Sequence, residues 1–258
     1  MDNCATLSMD QLYQDLKDNV FEIYYQAQFN NQAQLIGVEA LLRHNNPIMK
    51  NIPIINLIKE FEKNNFIIPL GKWIFEKACK QLNKWSKNPK TSNIPISINI
   101  SPKQIYDDNF IVDFLTIIKE TNVSTHLLKF ELTENILILD IQKISERIHL
   151  LKNYNIKFSL DDFGTGYASF ECIKNINFDE IKIDRTFVSD LLENKKSIEI
   201  IKAMVALANN LNITIIAEGV ETTSQKRVLE KYSCYNYQGY LFGKPMRIQD
   251  LERTYSLI

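Results

Sequence analysis

IKFSLDDFGTGY, residues 156–167, reads as a strand that runs into a turn. At period two, Lys157, Ser159 and Asp161 fall on one face, and Phe158 and Leu160 on the other. The strand ends in two adjacent carboxylates, Asp161 and Asp162, and a glycine-containing turn follows. On a continuing strand the two acids would point apart. Either one is merely solvated, or the chain turns past Asp161, eased by Gly164 and Gly166, so that both serve one site.

Working outward, other short strand candidates repeat this two-faced pattern. Ser97, Asn99 and Ser101 oppose Ile96, Ile98 and Ile100; Lys129, Glu131 and Thr133 oppose Phe130 and Leu132; Glu180, Lys182 and Asp184 oppose Ile181 and Ile183. Thr214, Ile216 and Glu218 share a face, as do Glu39, Leu41 and Arg43. Strands at 94–100, 127–132, 156–161, 179–183 and 213–218 alternate with amphipathic segments at 54–64, 69–87, 107–122, 140–154, 194–211 and 222–232. This alternation indicates βαβ units and a mostly parallel sheet. The first two strands, FEIYYQAQF and LIGVEALLR, form a hairpin around NNQAQ. The expected fold is therefore an α/β barrel with an antiparallel start. The chain, 1–258, reads as one domain, with a helical lead-in at 1–17 and the barrel at 18–258.

Composition narrows the function. The 258 residues are 45% hydrophobic and 24% charged with a net charge of −1, so no basic face is expected for duplex nucleic acid. Cys4, Cys79, Cys172 and Cys234 form no C-x-x-C pair, and with only His44, His126 and His149 a zinc site is disfavoured. No apolar run approaches the roughly 18–20 residues of a membrane span, and no signal-peptide pattern opens the chain; the expected location is cytoplasmic.

What remains is the acid-loaded polar face. Active sites of barrels lie at the carboxyl ends of the strands, and here those ends carry Asn99, Glu131, Asp161, Asp162, Lys182 and Glu218. Carboxylates with one carboxamide are hard oxygen ligands, suited to magnesium, manganese or calcium. Without cations so many buried acids would repel one another strongly. The residues therefore read as a divalent-metal site.

VEALLR (38–43), INIS (98–101), FELTEN (130–135), SLDDFGTGYASF (159–170), IKIDRTFV (181–188), AEGVET (217–222) and QGYLFGKP (238–245) together resemble, in order and spacing, the EAL-domain family of cyclic di-GMP phosphodiesterases. The resemblance runs from about Leu12 to the C-terminus. It implies a modified (β/α)8 TIM-like barrel with one antiparallel strand, two Mg2+ or Mn2+ ions, and hydrolysis of cyclic di-GMP to linear pGpG. It further implies that Glu39, Asn99 and Glu131 ligate one metal, that Asp161 bridges both, that Asp162 binds the second, and that Glu218 holds the second metal or its water. Lys182 matches the lysine at the attacking water and the phosphate, Glu134 the glutamate that ties down the loop after the double aspartate, and Gln238 a glutamine near the metal-bound waters. Gln26, Arg43 and Asp184 match substrate-facing positions. Family members commonly dimerise near the double-aspartate loop and often carry an upstream sensor or GGDEF domain. This chain has room for neither, so it is read as a stand-alone enzyme or as a domain from a longer parent chain.

The pattern departs from the family mostly in the first third. His44 stands for a tryptophan, Ala27 for a proline, and LIKEFE with Lys59 for a segment that usually carries proline, although Glu62 keeps its acid. Asn64 and Asn65 replace Thr-Gly or Ser-Gly. These positions bear on guanine packing and affinity, and His44 reads as a rim or packing residue. Taken residue by residue, Lys182 could instead pair structurally with Asp184; Glu221 reads as a turn brace; Tyr24, Tyr25, Phe163 and Tyr167 read as packing aromatics. DFG at 162–164 lacks the companions of a kinase, and GTGYAS lacks the third glycine of a dinucleotide fingerprint. Two other functions compete. A degenerate domain would sense cyclic di-GMP or recruit a protein partner, and a barrel glycosidase would use paired carboxylates and work in chelator.

Overall fold

The computed structural model describes residues 8–46, 49, 52–133, 141–166 and 169–257. Strands β1 (Phe21–Asn30), β2 (Leu35–His44), β3 (Ile96–Asn99), β4 (Leu128–Thr133), β5 (Lys157–Phe163), β6 (Glu180–Ile183), β7 (Thr214–Ala217) and β8 (Asn236–Gln238) close a barrel in chain order. β1 runs antiparallel to both its neighbours, β2 and β8, and the remaining pairs are parallel. The expected barrel with one reversed strand is thus what forms.

The reversal is local in origin. Between β1 and β2 the Asn30 side chain accepts from the backbone N–H groups of Gln32 and Gln34 at 3.0 and 2.9 Å, and Ala33 takes φ +57°. An Asx-type turn of this kind needs few residues, so the chain doubles back as a hairpin with no crossover helix.

The helices are α1 (Met9–Lys17), α2 (Ile54–Lys63), α3 (Ile67–Trp85), α4 (Pro102–Tyr106), α5 (Phe110–Thr121), α6 (Ile141–Lys152), α7 (Ser169–Asn175), α8 (Arg185–Ser189), α9 (Lys195–Asn210), α10 (Thr223–Lys231) and α11 (Ile248–Thr254). The segment expected as a helix at 107–122 forms α5, which starts at Phe110. Ahead of it stands the short α4, which was not expected: Ser101 and Gln104 form a capping box and Pro102 opens it. Short α7, α8 and α11 and the three-residue β8 were not among the expected elements.

The strands' apolar faces meet the helices as anticipated. Phe75 of α3 stacks on Phe114 of α5 with centroids 4.2 Å apart, and Phe130 and Phe158 continue the contact edge-on at 5.4 and 5.6 Å. A second cluster, including Leu12, Phe21, Phe61 and Phe66, seats α1 and α2 over the start of β1 and the end of β2. The outer layer closes where the Trp85 indole N–H donates to the buried Glu252 carboxylate on α11 at 2.8 Å. Inside the barrel most residues are polar, with Ile216 an apolar exception. Lys129 and Glu180, both buried, pair at 2.6 Å toward the amino ends of their strands, which leaves the carboxyl ends to the acids described next.

Candidate metal centre

The double aspartate converges, by a different route from the one its glycines suggested. β5 pairs Leu160 with Ile181 and then Phe163 with Ile183, so β5 holds one residue more than β6 over the same span. This is a β-bulge. Asp162 is the extra residue and takes φ +55°, a left-handed conformation that Asp tolerates better than most L-residues. The bulge turns Asp162 toward Asp161 and returns Phe163 to the outer core, where it is 2% exposed. Gly164, at φ +96°, only begins the turn that follows; a Cβ there would lie 2.3 Å from Met204 Cε. One ligand oxygen from each of Asp161, Asp162 and Glu218 lies within 4.8 Å of the others.

Lys182 is the hub. Its Nζ lies 2.6 Å from Glu218, 2.8 Å from Glu131, 3.2 Å from Asp161 and 3.5 Å from Glu39, and the residue is fully buried. Asp184 is not its partner: that carboxylate caps α8 by accepting from the Thr186 N–H at 2.9 Å. Burial opposes the Lys182 charge, but the four acids outweigh it and hold the ammonium well above its ordinary value. One cation cannot serve all its anions. Burial pushes Glu131 well above the carboxylate range and raises Asp161 as well, despite Lys182. Burial likewise pushes Glu218 up to about 8. Asp162 rises to about 6 through burial and the charges of Asp161 and Asp184. Glu39 alone is lowered: burial works against its charge, but Lys182, Gln238 and Asn99 prevail.

A layer of carboxamides surrounds Glu39. Asn99 Nδ2 donates to Glu39 Oε1 at 2.7 Å, and Gln238 Nε2 donates to Glu39 Oε2 and, at 3.2 Å, to Gln26 Oε1. Gln26 in turn donates to the Gly243 carbonyl at 3.1 Å. Gln28, which the sequence reading passed over, joins the layer by donating to Gln238 Oε1 at 2.8 Å. The signal was present: Gln28 falls two residues after Gln26, on the same inward face of β1.

Glu39, Asn99, Glu131, Asp161, Asp162, Lys182, Glu218 and Gln238 are therefore gathered at one end of the barrel, with Gln26 beside them. Arg43 lies at the rim, where its guanidinium donates to the Leu42 carbonyl at 2.7 Å and sits 5.6 Å from the Tyr24 ring centroid. Glu134 and Tyr167 lie outside the described residues. His44 is partly buried beside Arg43, and desolvation lowers its basicity. In the altered LIKEFE segment Glu62 accepts from the Ser101 hydroxyl, joining α2 to the start of α4. Tyr25 and Phe163 are core residues, as read.

The donor set suits hard divalent cations. All its ligand atoms are oxygens. With Glu39, Glu131, Asp161, Asp162 and Glu218 ionised and Lys182 protonated, the cluster carries a net charge of minus four, which two divalent ions would match. The raised carboxyl groups are what an anionic cluster short of cations displays.

Comparison with known proteins agrees with this geometry. The family model described as EAL domain matches residues 9–245. A cyclic di-GMP phosphodiesterase, PdeR of Escherichia coli (strain K12), is 32% identical over 240 residues, 93% of this chain and 36% of that protein. An uncharacterized protein of Synechocystis, sll1895, is 36% identical over 91% of this chain and 34% of its own length. The chain thus spans about a third of the curated relatives it matches. Among solved structures, the PaMucR phosphodiesterase in complex with c-di-GMP superposes with a TM-score of 0.86 at 31% identity, covering 93% of this chain and 99% of that one. With the motifs in order along the whole barrel and the acids gathered at its mouth, this chain belongs to the EAL-domain family.

Proposed function

We propose that this chain hydrolyses cyclic di-GMP to linear pGpG with the help of two divalent cations, Mg2+ or Mn2+. The observation that carries the reading is the convergence of four carboxylates on one buried ammonium, with a fifth, Asp162, beside Asp161 and Glu218, an arrangement short of positive charge by the equivalent of two divalent ions. Glu39, Asn99 and Glu131 would hold one ion, Asp162 and Glu218 the other, and Asp161 both. Bound there, the ions would activate water and offset the charge that builds on phosphorus.

The chain's own groups do the rest. Lys182 Nζ lies within 3.5 Å of Glu39, Glu131, Asp161 and Glu218 and would donate toward the attacking water and the phosphate, where its positive charge steadies the developing negative charge. Gln238 and Asn99 hold Glu39 in a single orientation. Arg43 stands at the rim with a guanidinium suited to a phosphate, and Gln26 and Asp184 line the approach. Water oxygen joins phosphorus, the bond to one ribose oxygen breaks, and that oxygen leaves with a proton. The similarity to PdeR, a cyclic di-GMP phosphodiesterase, and to MucR, a bifunctional diguanylate cyclase and cyclic di-GMP phosphodiesterase, supports the substrate, and the complete ligand set argues against a chain that has lost catalysis.

The test is chromatographic. The protein is incubated with cyclic di-GMP and Mg2+ or Mn2+, with and without EDTA. Conversion to pGpG that chelator abolishes is expected. Intact nucleotide with either metal, alongside measurable binding, would leave only the sensor function; hydrolysis undiminished by EDTA would overturn the metal reading.

A further inference from the structure

Glu39 stands at the seam where the reversed strand β1 joins β2 and β8, and a carboxamide holds each of its oxygens: Asn99 on Oε1 and Gln238 on Oε2. A glutamine amide has two ends of opposite polarity. Turned over, Gln238 would face Glu39 with a carbonyl oxygen in place of an N–H, and attraction would become repulsion. Its orientation is therefore a functional quantity, and the protein must fix it.

Gln28 is the group placed to do so. It is 1% exposed, faces Gln238 across the β1–β8 pairing, and gives its own N–H to Gln238 Oε1 at 2.8 Å. That bond requires the Gln238 oxygen to point down toward Gln28 and its nitrogen up toward Glu39 and Gln26. Gln26, anchored on the Gly243 carbonyl, accepts the second N–H. Turning Gln238 over would spoil three contacts at once. On its other side Gln28 faces Gly37 across the β1–β2 pairing, and a Cβ at Gly37 would come within 2.8 Å of Gln28 Oε1. The missing side chain of Gly37 is what leaves room for the Gln28 amide.

We propose that Gln28 is a positioning residue which, through Gln238, aims the Glu39 carboxylate at its cation, with Gly37 providing the space. Gln28 acts only through Gln238 and Glu39, which makes it a positioning residue and not a catalytic one. The relay rests on the metal reading above, and outer partners of metal ligands commonly change metal affinity by about 10–100-fold.

The experiment measures Mn2+ affinity by calorimetric titration of the intact chain, beside its thermal midpoint in EDTA. Gln28→Met keeps the length and burial of the side chain but cannot donate. It is expected to weaken Mn2+ binding about tenfold, and to have no further effect in a Gln238→Met background, because both act through one contact. Gly37→Ala, which alters neither glutamine, is expected to weaken binding in the same direction, and that effect too should vanish when Gln28→Met is already present. Unchanged affinity in Gln28→Met, or losses that simply add in the double variants, would overturn the relay while leaving the metal site standing. A wild-type chain that binds no Mn2+ would overturn both.

Discussion

Replacing Lys182 with methionine tests the charge arrangement most directly. Among the described residues the ammonium is the one positive group set against Glu39, Glu131, Asp161 and Glu218, at 3.5, 2.8, 3.2 and 2.6 Å. Taking one partner from a buried charge pair costs about 3–5 kcal/mol, because the remaining charge stays desolvated without compensation; removing both partners would not. At about 2–4 °C per kcal/mol for a chain of this size, the metal-free midpoint should fall by roughly 6–20 °C near pH 8. The sign of the pH dependence follows from the carboxyls. Glu131, Asp161 and Glu218 have folded values raised above the unfolded ones. What they contribute to stability is complete below the unfolded carboxylate range and is lost as pH rises through the folded values, about 8 for Glu218. At pH 5 Glu218, pushed up to about 8, carries its own proton and needs Lys182 less, so the deficit should shrink there. Scanning calorimetry in EDTA at pH 5 and pH 8, with and without excess Mn2+, reads all of this, and Mn2+ should restore part of the lost midpoint. A variant as stable as wild type at pH 8, or one more damaged at pH 5 than at pH 8, would refute the reasoning.

Other outcomes follow from the same geometry. Asp162→Gly should cut cyclic di-GMP hydrolysis by at least about a hundredfold, beyond the usual loss for an outer partner. It should also raise the metal-free midpoint by a few degrees, since glycine accepts φ +55° freely; a lower midpoint with activity retained would contradict both claims. Mixing Mn2+ with metal-free protein at pH 7 in weak buffer should release about one proton per chain, because Glu218, pushed up to about 8, must ionise to bind; an indicator dye that records none would refute the picture. If the chain dimerises beside the double-aspartate loop, Phe170, 74% exposed on α7, is the apolar side chain placed to contribute, and Phe170→Glu should shift sedimentation from dimer to monomer with its midpoint within a few degrees of wild type.

Most of the barrel was legible in the sequence because its strands repeat one pattern, apolar outward and polar inward, long enough for period two to show. β8 was not: three residues, Asn236–Gln238, are too few to show a period, and it meets β7 at a single pair, Ala217 with Tyr237. α4 and α8 rest on caps, Ser101 with Gln104 in one and Asp184 in the other, and are too short for a helical stripe. The site's acids were legible as residue types at strand ends. Their arrangement was not, because a bulge at Asp162 depends on what β6 can pair with, and that is a property of two strands. Lys182 illustrates the same limit: its nearest acid in sequence, Asp184, looked like a partner, while its actual partners stand on four other strands or their ends.

The extra residue in β5 makes position 162 a matter of parity as well as chemistry. Every residue after it is counted from a reset origin, so Phe163 faces the helices although it stands an odd number of steps past Leu160. Substitution and deletion at this point are therefore different kinds of change. Asp162→Gly removes a carboxylate and keeps the count. Deleting Asp162 removes the bulge with it: Phe163 then follows Asp161 directly, falls on the outer face by ordinary alternation and keeps its place opposite Ile183. The extra residue is thus the means by which the strand brings a second carboxylate to the mouth without moving its core.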